Sequence, residues 1–180
     1  MSKAPIKVVV SGAAGNIGYA IVPRLLNGEV FGEDQPVALC MLEIPPVLPT
    51  LNGVVMELKD CAFACNAGLM ATADPNEAMR DADVVVLVGG FPRKKGMLRK
   101  DLIQKNTGIF KSMGEALNYA KSTCKVRCAL SSSLFLSIHM RLRCIFTRSS
   151  FQYIRCYGYG YNDFFHATTN INTPFYFYRY

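Results

Sequence analysis

Within the first 43 residues a strand, a glycine-rich turn, a helix, a second strand and an acid follow one another, an order that few folds accommodate. Residues 6–10 are mostly apolar and β-branched and stop at Ser11-Gly12, which reads as a parallel strand buried on both faces and ending in a turn. The turn is Gly12-Ala13-Ala14-Gly15-Asn16-Ile17-Gly18. Gly12 permits a tight bend, Gly15 lets backbone N–H groups come close to a pyrophosphate, and Gly18 lets the following helix pack near the strand. The helix N-terminus then offers its unsatisfied donors and positive dipole to the anion. Ile17, Ile21, Val22, Leu25 and Leu26 repeat at helical spacing, Asn27-Gly28 supplies a left-handed stop, and Pro23 inside the helix predicts a kink. A second strand spans residues 37–42. Glu43 follows it, placed to accept hydrogen bonds from both ribose hydroxyls of an adenosine and to repel a 2′-phosphate, which favours NAD over NADP. A glycine pattern alone is a weak signal, since any strand-to-helix turn can carry one; here its flanks give it meaning.

The alternation continues downstream. Val54, Val55, Leu58, Ala62 and Phe63 mark a helix, residues 69–72 a short strand, residues 76–80 a helical turn or two, and residues 84–88 a strongly apolar strand. Residues 100–121 form the longest helical pattern, with Leu102, Ile103, Ile109, Phe110, Met113 and Leu117 on one face. Strand and helix in repeated alternation call for a parallel sheet covered on both sides, so the fold class is α/β, a doubly wound, mostly parallel Rossmann sheet. Gly90, after the fourth apolar strand, is expected beside the adenosine half of a dinucleotide, and Asn16 and Ile17 to meet it through their backbone.

Residues 89–101 follow that strand, at the carboxyl edge where ligands of such folds bind. Arg93 and Arg99, with Gly96 between them, suit a loop that clamps an anion; by charge alone a solvated basic loop would be the simpler reading. Sequence context overturns the simpler reading. Residues 11–20, Asp34-Gln35-Pro36, residues 52–58, residues 91–101 and Ile109-Phe110-Lys111-Ser112 resemble the cytosolic-type malate dehydrogenases in order and spacing, and the resemblance covers residues 3 to about 126. It implies a dinucleotide-binding domain over residues 1–126, NAD as cofactor, and hydride transfer between malate and oxaloacetate in the cytoplasm by a homodimeric family. It also implies that Arg93 binds the distal carboxylate of the substrate and that Arg99 stabilises charge on its ketone oxygen. The chemistry agrees, because a second carboxylate requires a second cation and the guanidinium fork can meet it with two parallel hydrogen bonds. A lactate-type enzyme would not need a charge at Arg93. Asn106 matches the family's cofactor-side asparagine, whereas Met113 stands where the family usually has a glutamine that touches NAD.

After Val126 both pattern and composition change. Up to that point 14 Lys and Arg face 12 Asp and Glu; residues 127–180 carry 6 Arg against Asp163 alone, no Lys and no Glu, and 14 of the 20 aromatic residues. Arg127 is a poor fit to a strand buried on both faces, Ser131-Ser132-Ser133 follows closely, and the tail shows no period that would pack on a sheet. The family's substrate-holding Asn-Pro-x-Asn-Thr segment, its paired aspartate and arginine, and its Gly-Asn-His base have no counterpart here. His139 and His166 stand in other surroundings, and Asp163 is the tail's sole carboxylate to orient them. The expectation is a chain truncated relative to the enzyme, ending in a read-through or frame-altered tail, without a catalytic base.

The seven cysteines form no CxxC pair and no metal-ligand cluster with histidine, which points to reduced, mostly buried thiols and no metal. The opening residues lack the apolar core of a signal peptide, and no apolar run is long enough to span a membrane. Three functions compete: a malate dehydrogenase, a catalytically silent NAD-binding fragment able to pair with intact subunits, and a tail whose Arg141, Arg143, Arg148 and Arg155 among aromatics grip single-stranded nucleic acid or anionic lipid. The third is disfavoured, since those charges form no helix face or known module.

Overall fold

In a computed structural model of the chain, the described residues are 3–128. They form five parallel strands, β1 (Ile6–Ser11), β2 (Val37–Leu42), β3 (Asn66–Thr72), β4 (Val84–Leu87) and β5 (Lys125–Cys128), in the order β3-β2-β1-β4-β5. The helices between them are α1 (Asn16–Leu26), α2 (Leu48–Asp60), α3 (Pro75–Met79) and α4 (Arg99–Ala116), with 3-10 turns at Pro45–Val47 and Leu117–Tyr119.

Side chains alternate across each strand, so the sheet builds two cores. Val8, Val10, Leu39 and Met41 face Val22, Leu25 and Leu26 of α1 and Leu51, Val54 and Leu58 of α2. Val9, Cys40, Leu42, Val85 and Leu87 face the other way, toward Ala78 and Met79 of α3 and Phe110 of α4. Burial of both strand faces explains why β1, β2 and β4 read as continuous apolar runs rather than alternating ones.

From β1 the chain winds through β2 to β3 in one direction, then returns to β4 and β5 on the other side of β1. The order therefore reverses between β1 and β4, and the crevice outside the carboxyl ends of these two strands is the place where such sheets bind ligands.

Several expected boundaries shift. The helix read through Phe63 ends at Asp60, because Ala62 takes a positive φ of 48° and Cys61 and Ala62 turn their amides back onto Glu57 and Lys59. The helix read to residue 121 ends at Ala116 in a 3-10 turn, where the Asp81 amide donates to the Tyr119 carbonyl and the Lys121 amide to the Ala82 carbonyl. β3 begins three residues earlier than its apolar pattern, since Asn66, Ala67 and Gly68 lie on a strand paired with β2 alone and need no apolar side chains. The strand pattern, expected to end at Val126, continues for two residues: Arg127 and Cys128 complete β5, paired with Val86 and Leu87. Arg127 is only half-buried there, because among the described strands β5 has a neighbour on one side only. The remainder of the tail, with His139, His166 and the tail arginines, lies outside the described residues.

α1 continues through Pro23, which lacks an N–H to give to the preceding turn. Its stop is as expected, with Gly28 at φ +81° just past the Asn27 cap. Among the described cysteines Cys40, Cys65 and Cys124 are buried thiols, Cys61 is exposed, and none is disulfide-bonded. No helix among the described residues is long and apolar enough to cross a membrane.

Candidate dinucleotide site

The turn between β1 and α1 is shaped by backbone contacts that leave no room for side chains at two of its glycines. Gly12 adopts φ +72°, and a Cβ there would lie 2.4 Å from Gly89 Cα. At Gly18 a Cβ would come within 2.2 Å of the Gly12 carbonyl oxygen. These two glycines are demanded by the fold itself. Gly15 differs: it is exposed, and a Cβ would meet only the Gly12 oxygen, at 3.3 Å. Packing tolerates a side chain there with slight adjustment, so the absence of one keeps the approach to the helix N-terminus open.

The amides of the turn divide into two sets. Gly12 donates to the Leu42 carbonyl, Ala14 to the Glu43 carboxylate and Gly15 to the Gly12 carbonyl. No side chain caps α1, whose first intrahelical bond runs from Tyr19 to Gly15. The amides of Asn16, Ile17 and Gly18 precede that bond, like the first donors of any helix, and together with the dipole they attract an anion. Asn16 and Ile17 are exposed; Ala13 is buried in the core beneath the turn.

Glu43 reaches this turn directly. One carboxylate oxygen accepts from the Ala14 amide at 3.1 Å and the other from the Ile44 amide at 3.3 Å. The side chain is half-buried, and an ionised carboxylate has lone pairs enough to accept further bonds from a diol. A 2′-phosphate at the same place would meet its negative charge. The turn and the acid, 25 positions after Gly18 in the sequence, are therefore one structural unit.

Across the switch point, Gly89 packs against Gly12 and donates its amide to the Ser11 carbonyl at 3.0 Å. Sequence reasoning singled out Gly90 and missed Gly89; the doubled glycine at a strand end was the available signal. Gly90 is exposed, and Asn106, on α4, comes close to it with its carboxamide oxygen. Met113 packs against the core on the α4 side of the sheet. Arg93 is exposed in the loop between β4 and α4, and Arg99 is the exposed first residue of α4. Phe91 stands at the root of that loop, with the Lys105 ammonium 4.3 Å and the Lys94 ammonium 5.8 Å from its ring centre.

The family profile described as "lactate/malate dehydrogenase, NAD binding domain" matches residues 6–129. The chain belongs to the lactate/malate dehydrogenase family. It is 54% identical over 127 residues to the cytoplasmic malate dehydrogenase of Zea mays, an alignment covering 70% of this chain and 38% of that protein. Among solved structures, malate dehydrogenase from Naegleria fowleri matches with a TM-score of 0.73 and 37% identity, over 79% of this chain and 44% of that one. A lactate dehydrogenase from Trichomonas vaginalis, solved with NADH and oxamate, matches with a TM-score of 0.65 and 44% identity, over 69% of this chain and 38% of that one. The chain thus spans well under half the length of these dehydrogenases, and the matched part is the family's NAD-binding domain. The matched segment ends one residue past β5, so the family pattern extends slightly beyond Val126.

Proposed function

We propose that the residues through the end of β5 at Cys128 act as the dinucleotide-binding half of a cytoplasmic, NAD-dependent malate dehydrogenase, and that the residues after β5 are a separate tail. The observation that carries this reading is the bond between Glu43 and the Ala14 amide, which fixes the acid beside the glycine turn. NAD fits the residues present: the amides of Asn16 and Ile17 suit its pyrophosphate, the approach is open at Gly15, and Glu43 suits its adenosine ribose, with Gly12, Ala13, Ala14 and Gly18 shaping the cradle and Gly90 at its border. Bound there, the nicotinamide supplies the hydride donor or acceptor.

The substrate class rests on the loop cations. Arg93 offers a guanidinium fork for a distal carboxylate and Arg99 a second positive charge for the ketone oxygen, which favours a dicarboxylate such as oxaloacetate over a monocarboxylate. Similarity to relatives named both malate and lactate dehydrogenases leaves this choice to Arg93.

By themselves the 180 residues hold the cofactor and one end of the substrate but do not turn it over. Both histidines, His139 and His166, lie in the tail, away from the family's base motif, and hydride transfer to a ketone needs a positioned proton donor worth orders of magnitude in rate. Pairing with a second copy or an intact subunit follows the family's habit. Purified chain mixed with NADH and oxaloacetate is expected to bind NADH saturably and to consume none above a blank. Steady NADH loss would replace the silent-module reading with that of a working enzyme, and absence of saturable binding would remove both.

A further inference from the structure

The side chain of Glu43 is held by the glycine turn, but its backbone is held by β3. The Leu42–Thr72 pair closes the β2–β3 ladder, and one residue further the Glu43 amide donates to the Thr72 carbonyl at 3.1 Å. Among the described hydrogen bonds that is the last tie between the acid's backbone and the sheet: the Ile44 amide turns to the Glu43 carboxylate, and Pro45 and Pro46 have no N–H to give. The place of the Thr72 carbonyl therefore decides where the acid starts. Thr72 is 7% exposed, and its hydroxyl is committed twice, accepting from the Asp74 amide at 3.2 Å and donating to a carboxylate oxygen of Glu77. Glu77 lies in the first turn of α3, a helix of five residues. That helix is held at its other end by the Lys7 ammonium, which donates to the Arg80 carbonyl at 2.7 Å, and along its length by Ala78 and Met79, buried in the core that contains Leu42.

Resting on the dinucleotide reading above, we propose that Thr72 is a positioning residue for cofactor selection: its hydroxyl, anchored on Glu77, fixes the end of β3, and the Thr72 carbonyl in turn fixes the backbone from which Glu43 reaches the adenosine ribose. Valine has the shape of threonine without the hydroxyl. In its place the Asp74 amide and the Glu77 carboxylate would lose their partner, and the corner between β3 and α3 its brace. A loosened corner lets Glu43 leave the place where it meets a diol and repels a 2′-phosphate, so discrimination between NAD and NADP is lost before the fold is.

Amide hydrogen exchange of the full chain, with calorimetric titrations of NAD and of NADP, tests it. In the wild type the Glu43 amide should be protected. Thr72→Val should speed its exchange about tenfold while residues 39–41 of β2 exchange as before, and should lower the ratio of NAD to NADP affinity about three- to tenfold, the range set by one oriented hydrogen bond. Thr72→Ser, which keeps the hydroxyl, should restore both readouts; if Thr72 served packing alone, the valine variant would instead behave as the wild type and the serine variant would be the impaired one. Glu77→Ala removes the anchor from the far side and should act in the same direction as Thr72→Val, which carries the same test if the valine variant does not fold. A folded Thr72→Val chain with Glu43 still protected and an unchanged ratio would overturn the proposal, and so would NAD and NADP weakened equally. A wild type that binds neither dinucleotide would overturn the dinucleotide reading instead, and the exchange rates would still decide whether the hydroxyl holds the Glu43 backbone.

Discussion

At the scale of single residues, the glycines separate into those the fold requires and those it does not. Gly18→Ala would push a Cβ against the Gly12 carbonyl, a backbone atom that cannot move aside, so a loss of about 2–3 kcal/mol is expected in denaturant unfolding. Gly108→Ala, in the exposed interior of α4 with nothing within 4 Å, should instead stabilise by about 1 kcal/mol, the helix-propensity difference between the two residues. Burial pushes the Cys40 and Cys124 thiols up to about 11 from an ordinary value of 9.0. Raised values mean that the folded state holds these protons more tightly than the unfolded chain does. Their contribution to stability is complete below about pH 9 and declines as pH climbs from there through about 11. Unfolding midpoints measured across that range should fall for the wild type and fall less for a variant with both thiols replaced by alanine; parallel slopes would show that these groups are not responsible.

Elements were legible where burial demands a pattern and obscure where it does not. β2 has the limits its sequence predicts because both faces pack on helices, and every residue must be apolar. The start of β3 is invisible in Asn66-Ala67-Gly68, since strand pairing there is made by backbone alone. The face of α4 was read correctly in outline: Phe110 is buried and Ile103 and Met113 pack beside it. Asn106 at the centre of the same stripe carries no apolar signal, and its tie to Phe91 joins residues 15 positions apart, beyond any local pattern. Within the candidate site, the places of the glycine turn between β1 and α1 and of Glu43 at the end of β2 follow from order and spacing. The contact between Gly12 and Gly89 does not, because it depends on the strand order, which a single sequence does not display. Phe110→Ala should cost about 3–5 kcal/mol, as expected for an aromatic ring anchoring a helix on a sheet; a change below 1 kcal/mol in the denaturation midpoint analysis would mean that α4 is held by other contacts.

For the molecule as a whole, the sheet brings β1, β2 and β4 to a common carboxyl edge, and the turn, the acid and the loop root meet there because the winding direction reverses at β1. The match spans 38% of the Zea mays relative, yet it includes every residue of the proposed nucleotide cradle, since those residues lie on and between the first four strands and the helix that follows them. The central claim is that Glu43 and the glycine turn together select NAD. Parallel calorimetric titrations of the wild type and Glu43→Ala with NAD and with NADP measure it most directly. The account predicts saturable NAD binding with a clear preference over NADP, and a loss of about tenfold or more in NAD affinity on substitution, while NADP binding holds or improves. Equal affinities for the two dinucleotides, unchanged when Glu43 is removed, would contradict it.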